Sequence, residues 1–345
     1  MQRGEKLENK RQVKLLEYRK LNEEMIIPAL ESIGEFKNAE LVANCGRYVN
    51  VINCVSCDTK HFGGACSCRV RYCFNCLHKR LLCWLVVLIP VFEEWYVEDN
   101  YISMLNFTVR DSMPLKVPLE MLENGFRKLY HEDKIRRRHW KERFPGGIRS
   151  LEVKLGKNSG EWHPHYHCLV MQKGGVFEKD YDWLIEAWHE VIGHNGMKVK
   201  QKNGTYDWGW NGHLRIKKID DKGNKGILHA VKESLKYIVK VENKENGKAT
   251  RNFYRNKELF EDLYTTLKNK KQTSTWGLLY GLKSKVDEDF KKETVSSLMN
   301  FICQKCGCTE GELKMILSDT SEILYDVPRQ MEKGSPTGIG QALKK

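Results

Sequence analysis

The sequence predicts an α+β protein in which a Cys-rich, metal-binding element precedes a sheet built from a hairpin. Three observations predict it. Eight of the twelve cysteines crowd into residues 45–83. Two β-rich runs, 148–155 and 165–171, flank the turn signal Asn158-Ser159-Gly160 and read as a hairpin. Segments with three- and four-residue apolar spacing surround them and read as helices.

The elements follow in order. In residues 1–44, Leu15, Tyr18, Leu21, Met25 and Ile26 recur at helical spacing and predict one or two amphipathic helices. Residues 45–83 form the Cys-rich element. The apolar run Leu81–Val91 is too short to span a membrane, ends at Glu93 and Glu94, and reads as a buried strand or core helix. Residues 101–110 predict a strand, and 119–142 a helix carrying the basic cluster Lys134, Arg136, Arg137 and Arg138. After the hairpin come a helix at 180–192, a strand at 213–219 and a helix at 228–242. Residues 285–345 read as a polar helical extension with a Gly- and Lys-rich end. The expected organisation is 1–44, 45–83, 84–284 and 285–345.

Charge and composition narrow the function. Lys and Arg number 58 against 45 Asp and Glu, a net charge of +13, which calls for a polyanionic partner: nucleic acid or an anionic membrane surface. An apolar content of 41% with only 8 Pro excludes a disordered or collagen-like chain. The charged start, Met1 to Lys6, lacks the apolar core of a secretory signal. Cysteines without such a signal suggest a reducing, cytoplasmic setting, where clustered thiols are metal ligands more often than disulfides. No membrane partner is expected.

Three constellations carry chemistry. Cys54-x2-Cys57 and Cys73-x2-Cys76 stand fifteen residues apart, the spacing of a tetrahedral structural zinc site. Cys45, Cys66, Cys68 and Cys83 lie close by, so Cys68, Cys73 and Cys76 completed by Cys45 or Cys57 is an alternative set, and two metals would also fit. Cys303-x2-Cys306-x-Cys308 is a second, less complete pattern. His163-Pro164-His165-Tyr166-His167 leads into a strand, where alternate side chains share a face. His165 and His167 then make half of a metal site, to which Glu152 on the hairpin partner could add a carboxylate; His163 has the same parity. In Glu233-Ser234-Leu235-Lys236-Tyr237, Glu233 and Tyr237 share a helix face, with Lys240 near it. A phenol can act as a nucleophile and a carboxylate one turn away as a general base; alone, this spacing reads first as a core aromatic.

Together these residues resemble a known family. His165-Tyr166-His167 is similar to the His-hydrophobic-His motif of HUH endonucleases. The longer string from His163, and Glu233 to Tyr237, resemble motifs two and three of rolling-circle plasmid replication initiators. Ser103–Thr108 stands in the place of motif one. Cys68 to Cys76 resembles the Cys-rich element that often precedes the domain, with Phe74 where Pro is usual. The resemblance covers about residues 45–280 and implies an HUH endonuclease domain over 84–284, with an antiparallel sheet and metal histidines on its central strand. It implies Mn²⁺ or Mg²⁺ at His165 and His167, Tyr237 as nucleophile, and Glu233 as the residue that activates water. It also implies structural Zn²⁺ at the cysteines, origin DNA as partner, and priming from the released 3′-OH. No phosphate loop of the GxxxxGK[ST] type occurs, so a host helicase and polymerase are expected to assist. An HUH transposase and a non-catalytic zinc-containing DNA-binding regulator are the rival readings; the regulator predicts that Tyr237→Phe is silent. A relaxase would place its Tyr ahead of the histidines. A zinc hydrolase would need a third strong ligand, for which the sequence offers Glu152 or His163.

Overall fold

The structure is a computed structural model. It describes residues 10–96, 100–132, 134–156, 158–173, 182–193, 198–200, 206–208, 213–219, 224–235, 244–245, 248–249, 252–288, 290, 302–303, 305–318 and 325–326.

The chain opens with helices α1 (Lys10–Leu21), α2 (Ile27–Ser32) and α3 (Phe36–Ala43), with a π-helical turn at Asn22–Ile26 joining the first two. Strands β1 (Tyr48–Cys54) and β2 (Lys60–Ala65) and the long helix α4 (Phe74–Trp95) come next. Strand β3 (Tyr101–Thr108), helices α5 (Lys116–Arg127) and α6 (Lys134–Arg143), and the hairpin β4 (Gly146–Leu155) and β5 (Trp162–Gln172) follow. Beyond them lie α7 (Asp182–Val191), the short strands β6 (Lys198–Lys200) and β7 (Tyr206–Trp208), β8 (Leu214–Lys218) and α8 (Asn224–Leu235). The chain continues through β9 (Lys244–Glu245), β10 (Lys248–Ala249), α9 (Lys257–Leu267), β11 (Thr273–Gly277), β12 (Gly311–Leu317) and β13 (Tyr325–Asp326). The sheets and helices make a mixed α+β protein.

Two compact units divide these elements. The first comprises Met1–Cys83, Asn252–Phe260 and Ser284–Thr337; the second comprises Trp84–Arg251, Glu261–Lys283 and Gly338–Lys345. The first unit therefore draws on both the N-terminal and C-terminal parts of the sequence. Its sheet has the order β12-β1-β2-β13, with β12 and β2 antiparallel to β1 and the two-residue β13 parallel to β2. Leu15 of α1 closes a small core over Val49, Val51 and Phe62. Among the described residues of the expected helical C-terminal extension, 285–288 and 290 are helical, whereas 311–317 form strand β12. The reason is period: Leu313, Met315 and Leu317 alternate with Glu312, Lys314 and Ile316, and the run pairs with β1 from Tyr48↔Leu317 to Cys54↔Gly311.

The second unit is built on a five-stranded antiparallel sheet of order β11-β4-β5-β3-β8. β5 is the central strand. The aromatic residues of the helical layer α5–α7 cover one face: Phe107 of β3 meets Phe126, Trp140 and Trp188 edge-on or tilted. Arg149 of β4 lies on that face too, stacked between Phe126 and Tyr166 at 4.7 and 4.6 Å from their ring centres. Helix α8 packs on the opposite face, against β4 and β5. The apolar run at 81–91 lies within α4, a 22-residue helix containing Pro90. By length and composition α4 could cross a membrane, contrary to the length expected from sequence, and half of its apolar window is buried.

Candidate metal centre and thiolate clusters

The alternation of β5 places His165 and His167 on the face covered by α8, and the pairing register supplies their neighbours. Glu152 and Thr108 stand opposite His165; Ser150 and Asn106 stand opposite His167. Glu152, His165 and His167 are each no more than 4% exposed. Their ligand atoms lie within 4.8 Å of one another. Both imidazoles turn Nε2 toward Oε2 of Glu152, that of His167 at 3.0 Å and that of His165 closer still.

Hydrogen bonds to the other ring nitrogens fix this orientation. Nδ1–H of His167 donates to Oδ1 of Asn106 over 2.7 Å, and Nδ1–H of His165 donates to the backbone carbonyl of His163 over 3.3 Å. A carbonyl oxygen only accepts, so Nδ1 carries the proton and Nε2 is the ligating nitrogen. Burial pushes His165 below its usual value, against the pull of Glu152, so the ring is neutral near pH 7. Burial would raise the Glu152 carboxyl; positive charge shared between it and the two Nε2 atoms, a proton or a cation, outweighs burial and holds it below the usual carboxylate range. Two Nε2 lone pairs and an ionised carboxylate thus converge in a buried pocket. Such a set of donors suits a divalent cation, with the second-sphere bonds already in place.

His163 goes elsewhere. Its Nδ1 meets Oδ1 of Asp111 at 2.5 Å, and the other Asp111 oxygen accepts from the Ser159 hydroxyl. Sequence reasoning did not single out Asn106, Asp111 or Ser150. Asn106 sits in the strand assigned to motif one, and its polar side chain between Leu105 and Phe107 was the available signal. Ser150 matters because its hydroxyl donates to the backbone carbonyl of Ser234, tying the end of α8 to β4 two residues from Glu152. Glu233 lies in α8, and nothing is described of its side chain; Tyr237, Lys236 and Lys240 lie outside the described residues. In the basic run of α6, Arg138 is exposed and donates to Glu142 over 2.8 Å.

The cysteines gather not as the single site of Cys54, Cys57, Cys73 and Cys76 but as the alternative set, Cys68, Cys73 and Cys76 completed by Cys45, with a second group beside it. Cys73 and Cys76 gather with Cys45 and Cys68, whereas Cys54 and Cys57 gather with Cys303 and Cys306. The correction has a geometric cause. Cys54 closes strand β1 and faces the chain that enters β12, while Cys73 and Cys76 bracket the start of α4. In the first group the Cys76 sulfur lies 3.6 Å from both Cys45 and Cys68. A tetrahedral zinc with bonds of ~2.3 Å needs sulfur separations of about 3.8 Å, so the group fits with small adjustments. Arg69, in the left-handed region at φ 61°, donates its N–H to the Cys76 sulfur over 3.2 Å, and the buried Asn22 amide donates to Cys73 over 3.4 Å. Hydrogen bonds from the neighbouring thiols, then from Arg69, draw Cys76 well down while Cys45, Cys68 and Cys73 are pushed up, so without a cation the group holds one thiolate. Cys66 is exposed and Cys83 is buried in α4; neither belongs to a group.

Comparison with known proteins places the chain. A protein described as "Protein rep" from Streptococcus pneumoniae serotype 2 (strain D39 / NCTC 7466) is 23% identical over 225 residues, 64% of this chain and 63% of its own length. Two others of that description, from Bacillus sp and Bacillus amyloliquefaciens, are each 27% identical over 153 residues, 42% of this chain and 47% and 42% of their own. The matches therefore span between two-fifths and two-thirds of these relatives. No solved structure matches. The family profile described as Replication protein (Rep_1) matches residues 60–314, and the chain belongs to that family.

Proposed function

We propose that the protein initiates rolling-circle replication by nicking one DNA strand at an origin, with Tyr237 as the nucleophile. One observation supports the reading above the others: Glu152, His165 and His167 converge on the central strand beneath α8, the helix that leads into the Glu233–Tyr237 motif. Membership of a replication protein family points the same way. A divalent ion held by those three side chains would supply Lewis-acid polarisation of the scissile phosphate.

The chain's own residues supply the rest. Asn106 and the His163 carbonyl hold the two imidazoles with Nε2 inward, so no reorganisation is needed when phosphate arrives. The Tyr237 oxygen attacks phosphorus after losing its proton to solvent. The bond from phosphorus to the 3′ oxygen breaks, and that oxygen leaves as a 3′-OH after taking a proton. A 5′-phosphotyrosine remains. Lys236 and Lys240 supply positive charge near the phenol and favour its ionised form. After one round Glu233 takes a proton from water, whose oxygen attacks the phosphotyrosine and frees Tyr237. Strand transfer to a 3′-OH closes the displaced circle. The host supplies helicase and polymerase, and Cys45, Cys68, Cys73 and Cys76 hold structural zinc.

Purified protein incubated with a supercoiled plasmid carrying its own replicon, in Mn²⁺ or Mg²⁺, tests this. Nicked DNA with protein on its 5′ end, abolished by Tyr237→Phe, is the expected result. Specific binding without nicking under any divalent metal would leave a DNA-binding regulator. Nicking that survives in Tyr237→Phe would move the nucleophile elsewhere.

A further inference from the structure

The second thiolate group is assembled from cysteines far apart in sequence: Cys57 and Cys303 are 246 positions apart, yet their sulfurs lie 3.5 Å from one another. Cys54 and Cys306 meet at 3.4 Å. The two Cys-x2-Cys segments carry the same backbone bonds. In one, the N–H of Asp58 donates to the carbonyl of Cys54 and the N–H of Cys54 donates to the carbonyl of Thr59, both over 2.9 Å. In the other, the N–H of Gly307 donates to Cys303 and the N–H of Cys303 donates to Cys308, both over 2.8 Å. The residue after the second cysteine is left-handed in both, Asp58 at φ 52° and Gly307 at φ 75°. Two matching turns bring four sulfurs within 4.8 Å of one another. Donors surround them: the Thr59 hydroxyl lies 3.0 Å from the Cys57 sulfur, and Nε2 of the buried His61 lies 3.4 Å from that of Cys303. Donors of this kind offset the charge of thiolates that share one cation.

We infer that Cys54, Cys57, Cys303 and Cys306 bind a second structural Zn²⁺, which clasps the segment 302–318 onto the N-terminal sheet. The clasp sits at the end of β1 where Cys54 pairs with Gly311, so it fixes the first rung of the β1–β12 ladder. Without it, the C-terminal strand is an edge held by a seven-residue pairing with Leu313, Met315 and Leu317 on its exposed side. Four thiolates around one ion suit zinc among the common divalent ions, since Mg²⁺ and Mn²⁺ prefer oxygen.

Cobalt substitution of the full-length protein tests it. Metal-free reduced protein is titrated with Co²⁺ while sulfur-to-cobalt charge-transfer absorption is followed. The wild type should bind two equivalents with that absorption, and Cys303→Ser/Cys306→Ser and Cys73→Ser/Cys76→Ser one each. Cys308→Ser should keep two, because Cys308 lies outside the four ligands. Limited proteolysis should then cut within 302–318 in Cys303→Ser/Cys306→Ser and in metal-free wild type, and zinc should protect only the wild type. One thiolate-bound equivalent in the wild type would overturn the inference even if the double variants fail to fold. So would loss of an equivalent in Cys308→Ser, or zinc-loaded wild type that is cut in 302–318 as fast as the metal-free form. Protein isolated with iron rather than zinc in this site would overturn the assignment of the metal.

Discussion

At the scale of single residues, what His165 and His167 can do is decided by the bonds behind them. Asn106 holds His167 from the far side of the ring, so Asn106→Ala should weaken Mn²⁺ binding ~10–100-fold with the fold intact. Glu152→Gln keeps the shape but removes the charge and should weaken it further; a Mn²⁺ titration followed by paramagnetic resonance reads both. Unchanged affinity in both variants would mean that the three side chains do not form the site. On the other face of the same strand, burial pushes the Tyr166 phenol up to about 12, with Arg149 pulling weakly the other way. In the unfolded chain the phenol ionises near 10, so its contribution is complete below about pH 10 and is lost as pH rises toward 12, by up to ~3 kcal/mol. Tyr166→Phe should flatten that fall in urea midpoints recorded against pH. The shared face of His165 and His167 was legible because strand alternation dictates it. The place of His163 was not, because its partner Asp111 lies 52 residues away and nothing local announces the pair.

At the scale of elements, β4 meets its neighbour β11 closely at Gly147. A Cβ on Gly147 would stand 2.4 Å from the indole of Trp276 on β11. Gly147→Ala should therefore cost ~1–3 kcal/mol, through a shifted indole or a bent strand. Phe107 is fully buried among three aromatic rings, and Phe107→Ala should cost ~3–5 kcal/mol. Denaturant unfolding with the near-ultraviolet signal of Trp140 and Trp188 as probe checks both; a loss under about 1 kcal/mol for Phe107→Ala would mean that this layer is not the core of the unit. The hairpin and β3 were legible from β-rich runs and the Asn158-Ser159-Gly160 turn. The single helix expected over 119–142 is two, α5 and α6, with a π-helical turn at Lys128–Glu132 between them. Apolar spacing runs through such a turn without a break and cannot reveal it. Strand β12 went unread for another reason: its alternation is short, and its apolar residues Leu313, Met315 and Leu317 are exposed along with Glu312 and Lys314.

At the scale of the whole molecule, the excess of +13 charges sets an ionic cost on binding. If origin DNA is held through six to ten phosphates, affinity should fall roughly 10³–10⁵-fold between 50 and 200 mM salt. Fluorescence anisotropy on an origin fragment measures the slope, and a flat response would argue against a phosphate-dominated interface. Cysteine spacing exposed the metal-binding element and offered the set of Cys45, Cys68, Cys73 and Cys76 as an alternative, but not the joining of Cys54 and Cys57 to Cys303 and Cys306, since a Cys-x2-Cys turn specifies half a site and leaves the other half to tertiary folding. The route of the chain through the first unit also has a consequence in time. Its sheet needs β12, and Cys54 waits for Cys306, 252 positions later. At ~5–20 residues per second, a ribosome leaves β1 with an open edge and bare thiols for roughly 10–50 s. All five strands of the other sheet emerge before β12 does. A message broken before codon 303 would therefore yield a nascent product with its central sheet complete and its terminal one unsealed, a form that chaperones and proteases can tell from the finished protein.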